Sequence, residues 1–172
     1  MLSKWAYILI GNDQTGKTTF QKALIKELCG YEISRLDVNL IHNINHPDSP
    51  RKLKTLSTMN RSYQEKIDLY GSVEEFFEKH FKDADVCILS SHITGHADEI
   101  KAMIKQLHLR RYNVGAIYWS NAPTDEKIDN FRWDERFEFN NPISEDKDEI
   151  IKKIRELAYK FSRLIVTRSY HQ

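Results

Sequence analysis

The 172-residue chain has only two cysteines, Cys29 and Cys87, far apart and in no CxxC arrangement. That scarcity excludes a disulfide framework and a cysteine-rich zinc site, and a reducing cytoplasm is the expected location. Six glycines and four prolines are too few for a collagen-like or low-complexity chain. Neither sign of charge dominates: 26 Lys+Arg face 25 Asp+Glu, a net charge of +1. Electrostatic wrapping of nucleic acid therefore finds no support, although a local basic groove is compatible with the composition. No apolar run approaches the roughly 18–20 residues that cross a bilayer, so no membrane partner is expected. Met1-Leu2-Ser3-Lys4 leads directly into a strand-like run, and the expectation is that no signal peptide is present. What remains is 40% apolar and 30% charged sequence. Its length suits one domain with one real core, at roughly 100–200 residues per domain.

The unbroken apolar run Trp5–Ile10 reads as a strand buried on both faces, stopped by Gly11. Phe20, Ala23, Leu24 and Leu28 then share one face of a helix expected over 17–28, with Gly30 at its C-terminal cap. A second strand is expected over 33–38. The segment 39–50, with its prolines, asparagines and histidines, reads as a loop. Leu53, Leu56, Tyr63, Ile67 and Tyr70 recur at helical spacing and predict a helix across much of 51–69. Ser72-Val73-Glu74-Glu75 is a capping box opening a short helix. Strands are expected at 86–89, 114–119 and 135–140, with a helix around Ile100, Met103, Ile104 and Leu107. A last helix, capped by Ser144, buries Ile150, Ile151, Ile154, Leu157, Ala158 and Phe161. Alternating strands and helices predict an α/β, three-layer sandwich with a mainly parallel five-stranded sheet.

One motif dominates: Gly11-Asn12-Asp13-Gln14-Thr15-Gly16-Lys17-Thr18 fits G-x-x-x-x-G-K-[ST] between a buried strand and an amphipathic helix. With typical frequencies of about 7% Gly, 6% Lys and 12% Ser+Thr, such a match arises by chance about 3–4 times in 100,000 windows. The chemistry explains the spacing. A phosphate chain needs many donors, and Gly11 and Gly16 let the backbone fold its N–H groups around it. The helix adds its positive end. Lys17 supplies a cation for the β- and γ-phosphates, the Thr18 hydroxyl a ligand for Mg²⁺, and Thr19 a further support.

With Thr19, the loop Gly11-Asn12-Asp13-Gln14-Thr15-Gly16-Lys17-Thr18-Thr19 resembles that of P-loop NTPases, and more narrowly the G-x-D-G-x-G-K-[ST]-T loop of thymidylate kinases, with Gln14 in place of a glycine. The resemblance implies ATP and Mg²⁺ as cofactors, a small-molecule acceptor, and kinase chemistry on a single domain spanning 1–172. It casts Asp13 as an acceptor contact. Asp37, at the end of the expected second strand, is similar to an aspartate that adenylylsulfate and gluconate kinases carry. Its implied role is to orient or deprotonate the acceptor hydroxyl and to help hold Mg²⁺. The resemblance also implies an arginine lid between the last two strands, here 121–135, with Arg132 preferred over Arg136 as the clamp on the transferring phosphoryl group. Adenine would lie between residues 121–123 and 140–142.

Many P-loop families end the strand expected at 86–89 with a carboxylate. Here the run is Val86-Cys87-Ile88-Leu89-Ser90-Ser91-His92, so Ser90 is a weaker candidate ligand. The acceptor is expected over 39–70, where Arg61 can meet an anion, with Ser90 and His92 as further polar contacts. The pairs His42/His46 and His92/His96 lack a cysteine or carboxylate to complete a zinc set. No N/T-K-x-D guanine signature occurs. The alternative reading is a P-loop switch or regulatory nucleotide-binding protein acting through a protein or nucleic-acid partner.

Overall fold

The computed structural model describes residues 2–12, 15–59, 61–120, 126–141 and 144–171. In chain order these form β1 (Trp5–Ile10), α1 (Lys17–Cys29), β2 (Ile41–Asn43), β3 (Thr55–Thr58), a 3₁₀ turn (Tyr63–Lys66) and α2 (Ile67–Tyr70). There follow α3 (Val73–Lys79), β4 (Val86–Ser91), α4 (Ala97–Leu109), β5 (Asn113–Trp119), α5 (Glu126–Asp129), β6 (Glu135–Phe139) and α6 (Lys147–Tyr170).

The six strands lie in the order β2-β3-β4-β1-β5-β6. All pairings are parallel except the β2–β3 hairpin. Alternation along β1 divides the core. Ala6, Ile8 and Ile10 face a cluster that includes Phe76, Ile100, Met103 and Leu107, from α3 and α4. Tyr7 and Leu9 face the other, built on Phe20, Leu24 and Leu28 of α1 and on Phe161 and Ile165 of α6. The molecule is thus an α/β sandwich of three layers, with helices on both faces of a mostly parallel sheet.

Three local expectations need correction. Among the described residues the sheet has six strands rather than five, and residues 33–38 are not one of them. That stretch buries Leu36 and Val38 singly, one in each core cluster, without a neighbouring strand to complete a ladder. The neighbour of β4 is β3, which interrupts the helix expected over 51–69. The Asp85 carboxylate explains why: its Oδ2 accepts from the backbone N–H of Lys54 (2.8 Å) and Thr55 (3.0 Å). In return, Asp85 N–H donates to Thr55 Oγ1 (2.9 Å). This clasp pins the extended register of Thr55-Leu56-Ser57-Thr58, whose Leu56 is fully buried. The helical spacing of Leu53, Leu56, Tyr63, Ile67 and Tyr70 thus combines a loop, a strand, a 3₁₀ turn and a short helix. Finally, Asp146 rather than Ser144 caps α6. Its Oδ1 accepts from Asp148 and Glu149 N–H, while Ser144 Oγ accepts from Asp146 N–H one turn earlier. The Ser72–Glu75 capping box forms as its sequence predicts.

Candidate functional site

The site grows from the C-terminal end of β1. Ile10 lies between Ser91 of β4 and Tyr118 of β5, and Gly11 N–H still donates to Ser91 O (3.1 Å). The chain then turns through the glycine-rich loop into α1. Two glycines are required there for steric reasons. A Cβ on Gly11 would stand 2.8 Å from Thr15 Oγ1. Gly16 has φ +102, and its Cβ would stand 2.7 Å from Ile154 Cδ1 of α6. Gly16 O accepts from Phe20 N–H, closing the first turn of the helix.

Lys17 opens that turn and is 8% exposed. Its ammonium reaches back across the loop to Gly11 O and, at 2.8 Å, to Asn12 O. The cation therefore sits over the loop rather than in solvent. Side chains strap the loop on two flanks. Asn12 donates to Thr94 Oγ1 (3.1 Å) and accepts from Ile93 N–H (3.2 Å), tying it to the β4–α4 connection. Asn141, just after β6 and 1% exposed, donates to Thr15 O (2.9 Å) and receives nothing on its own Oδ1 among the described residues. Its backbone N–H is held by Ser120 Oγ (2.7 Å). Asn12, expected among the phosphate ligands, and Asn141, expected beside the adenine, thus both brace the loop through their side chains.

The loop opens on a cavity of about 440 Å³. Gly16, Lys17, Thr18 and Thr19 form one wall. Opposite stand Ser90 at the end of β4, and Arg61, Ser62 and Glu65 from the connection after β3. Ile150, Ile151 and Ile154 of α6 supply an apolar side. Ser90 Oγ accepts from Gln21 Nε2 (3.1 Å), and Gln21 Oε1 accepts from Met59 N–H (3.0 Å). This buried amide bridge fixes the β4 end relative to α1 and the end of β3.

Among the described residues, Glu65 is the carboxylate that lines this cavity with Thr18. Its Oε2 accepts from Ser62 N–H (2.8 Å), and its Oε1 lies 4.0 Å from Arg61 Nη1. His92 Nε2 stands 4.0 Å from Oε2. Behind it, Gln64 bonds Ser91 Oγ (2.9 Å) and His92 N–H (3.0 Å), anchoring the 3₁₀ turn to the end of β4. Glu65 was not among the expected site residues, although Ser62-Tyr63-Gln64-Glu65 carries the capping-box pattern that holds it.

Of the expected site residues, Thr15, Gly16, Lys17, Thr18, Thr19, Arg61 and Ser90 meet in this cavity. Asp37 does not line it. Because 33–38 is not a strand, Asp37 is an exposed loop residue whose Oδ1 accepts from Asn39 N–H (2.8 Å). Arg132 lines a separate cavity of about 840 Å³ against Lys101 and Lys105 of α4. That cavity shares no residue with the loop cavity. Arg136 donates from β6 to Asp129 O (3.0 Å). His92 is brought close to Glu65 but lies outside the cavity lining. Asp13 and Gln14, residues 121–123 and residue 142 lie outside the described residues. His42 and His46 are committed separately. His42 Nδ1 bonds Tyr31 Oη at 2.5 Å, and His46 Nδ1 accepts from Asp48 N–H (3.1 Å). Among the described residues, no three His, Cys, Asp or Glu side chains gather as a metal cluster, and no helix is long and apolar enough to cross a membrane.

No family model matches the chain, and no curated protein matches it. Solved structures similar to it include de novo designed proteins determined by solution NMR. One is 16% identical, covers 92% of this chain and 91% of its own, and has a TM-score of 0.40. A second is 12% identical, with 89% and 88% covered and a TM-score of 0.38. A third, described as having a P-loop NTPase fold, is 16% identical, with 93% and 94% covered and a TM-score of 0.38. Likenesses this distant carry no argument about what the chain binds.

Proposed function

We propose that the chain is an Mg²⁺-dependent phosphotransferase that binds ATP at residues 11–19 and passes its terminal phosphoryl group to a small-molecule acceptor. The observation that carries this reading is the shared cavity. Lys17 and Thr18 of the loop line it together with Arg61 and Glu65, so the cations and a carboxylate border one space. The donor set fits the ligands. Two glycines leave room where a Cβ would clash, and the Thr18 hydroxyl opens the first turn of a 13-residue helix. Mg²⁺, held by Thr18, would neutralise phosphate charge.

In this reading Lys17 and the loop N–H groups hold the β- and γ-phosphates. Arg61 balances charge on the oxygens of the transferring group. Glu65, rather than Asp37, orients the acceptor hydroxyl and takes its proton. The hydroxyl oxygen then bonds to the γ-phosphorus as its bond to the β–γ bridging oxygen breaks, and ADP leaves. Arg132 is not engaged from its position beside α4.

Calorimetry with Mg·ATP tests binding, and ADP release across a panel of nucleosides, nucleotides and hydroxylated metabolites tests transfer. Lys17→Ala should abolish both while leaving the circular dichroism spectrum unchanged, and wild-type binding in that variant would refute the site. One observation favours a second reading, a regulatory NTPase acting through a protein or nucleic acid: β4 ends in Ser90-Ser91 with no carboxylate. Turnover stimulated only by a macromolecule, and by no small acceptor, would select it.

A further inference from the structure

A second pocket, of about 290 Å³, adjoins the loop cavity. The two share Thr18, Arg61 and Glu65, so they meet at the point where transfer is proposed to occur. The second is lined additionally by Lys22, Ser34, Arg35 and Leu36. Lys22 lies one helical turn beyond Thr18 on α1, which puts both on one face. Arg35 comes from the connection between α1 and β2.

The charge in this pocket is one-sided. Lys22, Arg35 and Arg61 face a single carboxylate, Glu65. That carboxylate already accepts from Ser62 N–H. Lys22 donates to a neutral partner, Ser34 O (2.6 Å), so its charge is not cancelled. Arg35 has no ion pair among the described residues, and Arg61 approaches Glu65 only at 4.0 Å. Three cations lining one concave polar space make it attractive to an anion. Two of them are guanidiniums, whose planar donor forks match the oxygens of a phosphate.

We infer that this pocket is an oxyanion subsite, and that the acceptor is a phosphate-bearing small molecule whose phosphate sits by Lys22 and Arg35, with Arg61 between it and the transferring phosphoryl group. The inference rests on the phosphotransferase reading for the word acceptor, but the subsite itself does not. With its phosphate there, the acceptor extends past Thr18 toward Glu65, and the hydroxyl to be phosphorylated reaches the loop cavity. The subsite therefore selects phosphate esters over their uncharged counterparts.

The test uses inorganic phosphate as the probe and the Lys17→Ala chain, in which the loop is disabled, as the protein. Phosphate should still bind, shifting the amide resonances of residues 34–36. Adding Arg35→Ala or Lys22→Ala should weaken that binding about tenfold or more, with Arg35→Lys restoring part of it. Arg35 is exposed, so its replacement does not threaten the core. Failure of phosphate to bind the Lys17→Ala chain overturns the inference, as does binding indifferent to Arg35 and Lys22. Failure of the wild type to bind Mg·ATP instead overturns the reading of the loop, and leaves the phosphate titration to decide the pocket.

Discussion

Replacing Gly16 by alanine tests the geometry of the loop most directly. At φ +102 and ψ 6 an L residue is strained, at a cost of about 1–2 kcal/mol. The new Cβ also stands 2.7 Å from Ile154 Cδ1. That atom ends a flexible side chain, so relief takes a rotamer change in a well-packed core, at about 0.5–1.5 kcal/mol. Alanine stiffens the unfolded chain and returns about 0.4–1 kcal/mol. The net loss is about 0.5–3 kcal/mol. With a urea m-value of about 2 kcal/mol/M, the unfolding midpoint should fall by about 0.25–1.5 M. Gly30→Ala is the internal control. Gly30 has φ +81, but a Cβ there meets nothing within 4 Å. It should lose the backbone term alone, and the difference between the two variants isolates the Ile154 contact. Gly16→Ala should also weaken Mg·ATP binding at least about tenfold, because the strain is relieved by distorting the loop that makes the site. Gly30→Ala should leave binding intact. Equal midpoints for Gly16→Ala and the wild type, together with unchanged ATP affinity, would refute the assigned conformation and contact.

Other expectations follow from single contacts. The Arg168 guanidinium donates to both oxygens of Glu135 at 2.5 Å and lies over the Trp5 ring at 4.1 Å, with the two side chains 23% and 20% exposed. Glu135→Ala leaves that charge half-buried and unpaired, and should cost about 2–3 kcal/mol in urea unfolding; a loss below about 0.5 kcal/mol would show the pair to be inert. Burial holds the pKa of His42 below its usual value, against an opposing pull from Asp37. The unfolded chain therefore takes up the proton first. Stability is full above about pH 6.5 and declines as pH falls through that value. His42→Gln should flatten unfolding free energy against pH between about 5 and 7, and parallel wild-type and variant curves would count against the assignment. Burial pushes the thiols of Cys29 and Cys87 up to about 12 and about 11. Neither should react with a disulfide reagent at pH 8 in the native state, and both should react in urea; rapid labelling of native protein would contradict their placement.

Where the chemistry is local, the sequence was enough to read it. The run Trp5–Ile10, its stop at Gly11 and the spacing up to Thr18 all lie within 14 consecutive residues, and the strand and helix they encode form there. The Ser72–Glu75 box is equally self-contained, since donor and acceptor lie three residues apart. The two-sided burial of β1 was visible because no residue in it is charged. By contrast, β3 is four residues long and depends on a carboxylate 30 positions away in Asp85. Its apolar residues mimic a helical period because each is buried for a different reason. Glu65 lines the cavity with Thr18, on a 3₁₀ turn that Gln64 ties to the end of β4. The straps Asn12–Thr94 and Asn141–Thr15 span 82 and 126 positions. Asp37 and Arg132, placed by analogy with an expected strand and lid, lie outside the loop cavity. Short-range order follows from side-chain periodicity and turn chemistry, which neighbours in the chain supply. Which distant carboxylate or amide reaches the loop depends on packing the sheet and its helices together, and only the folded chain determines that.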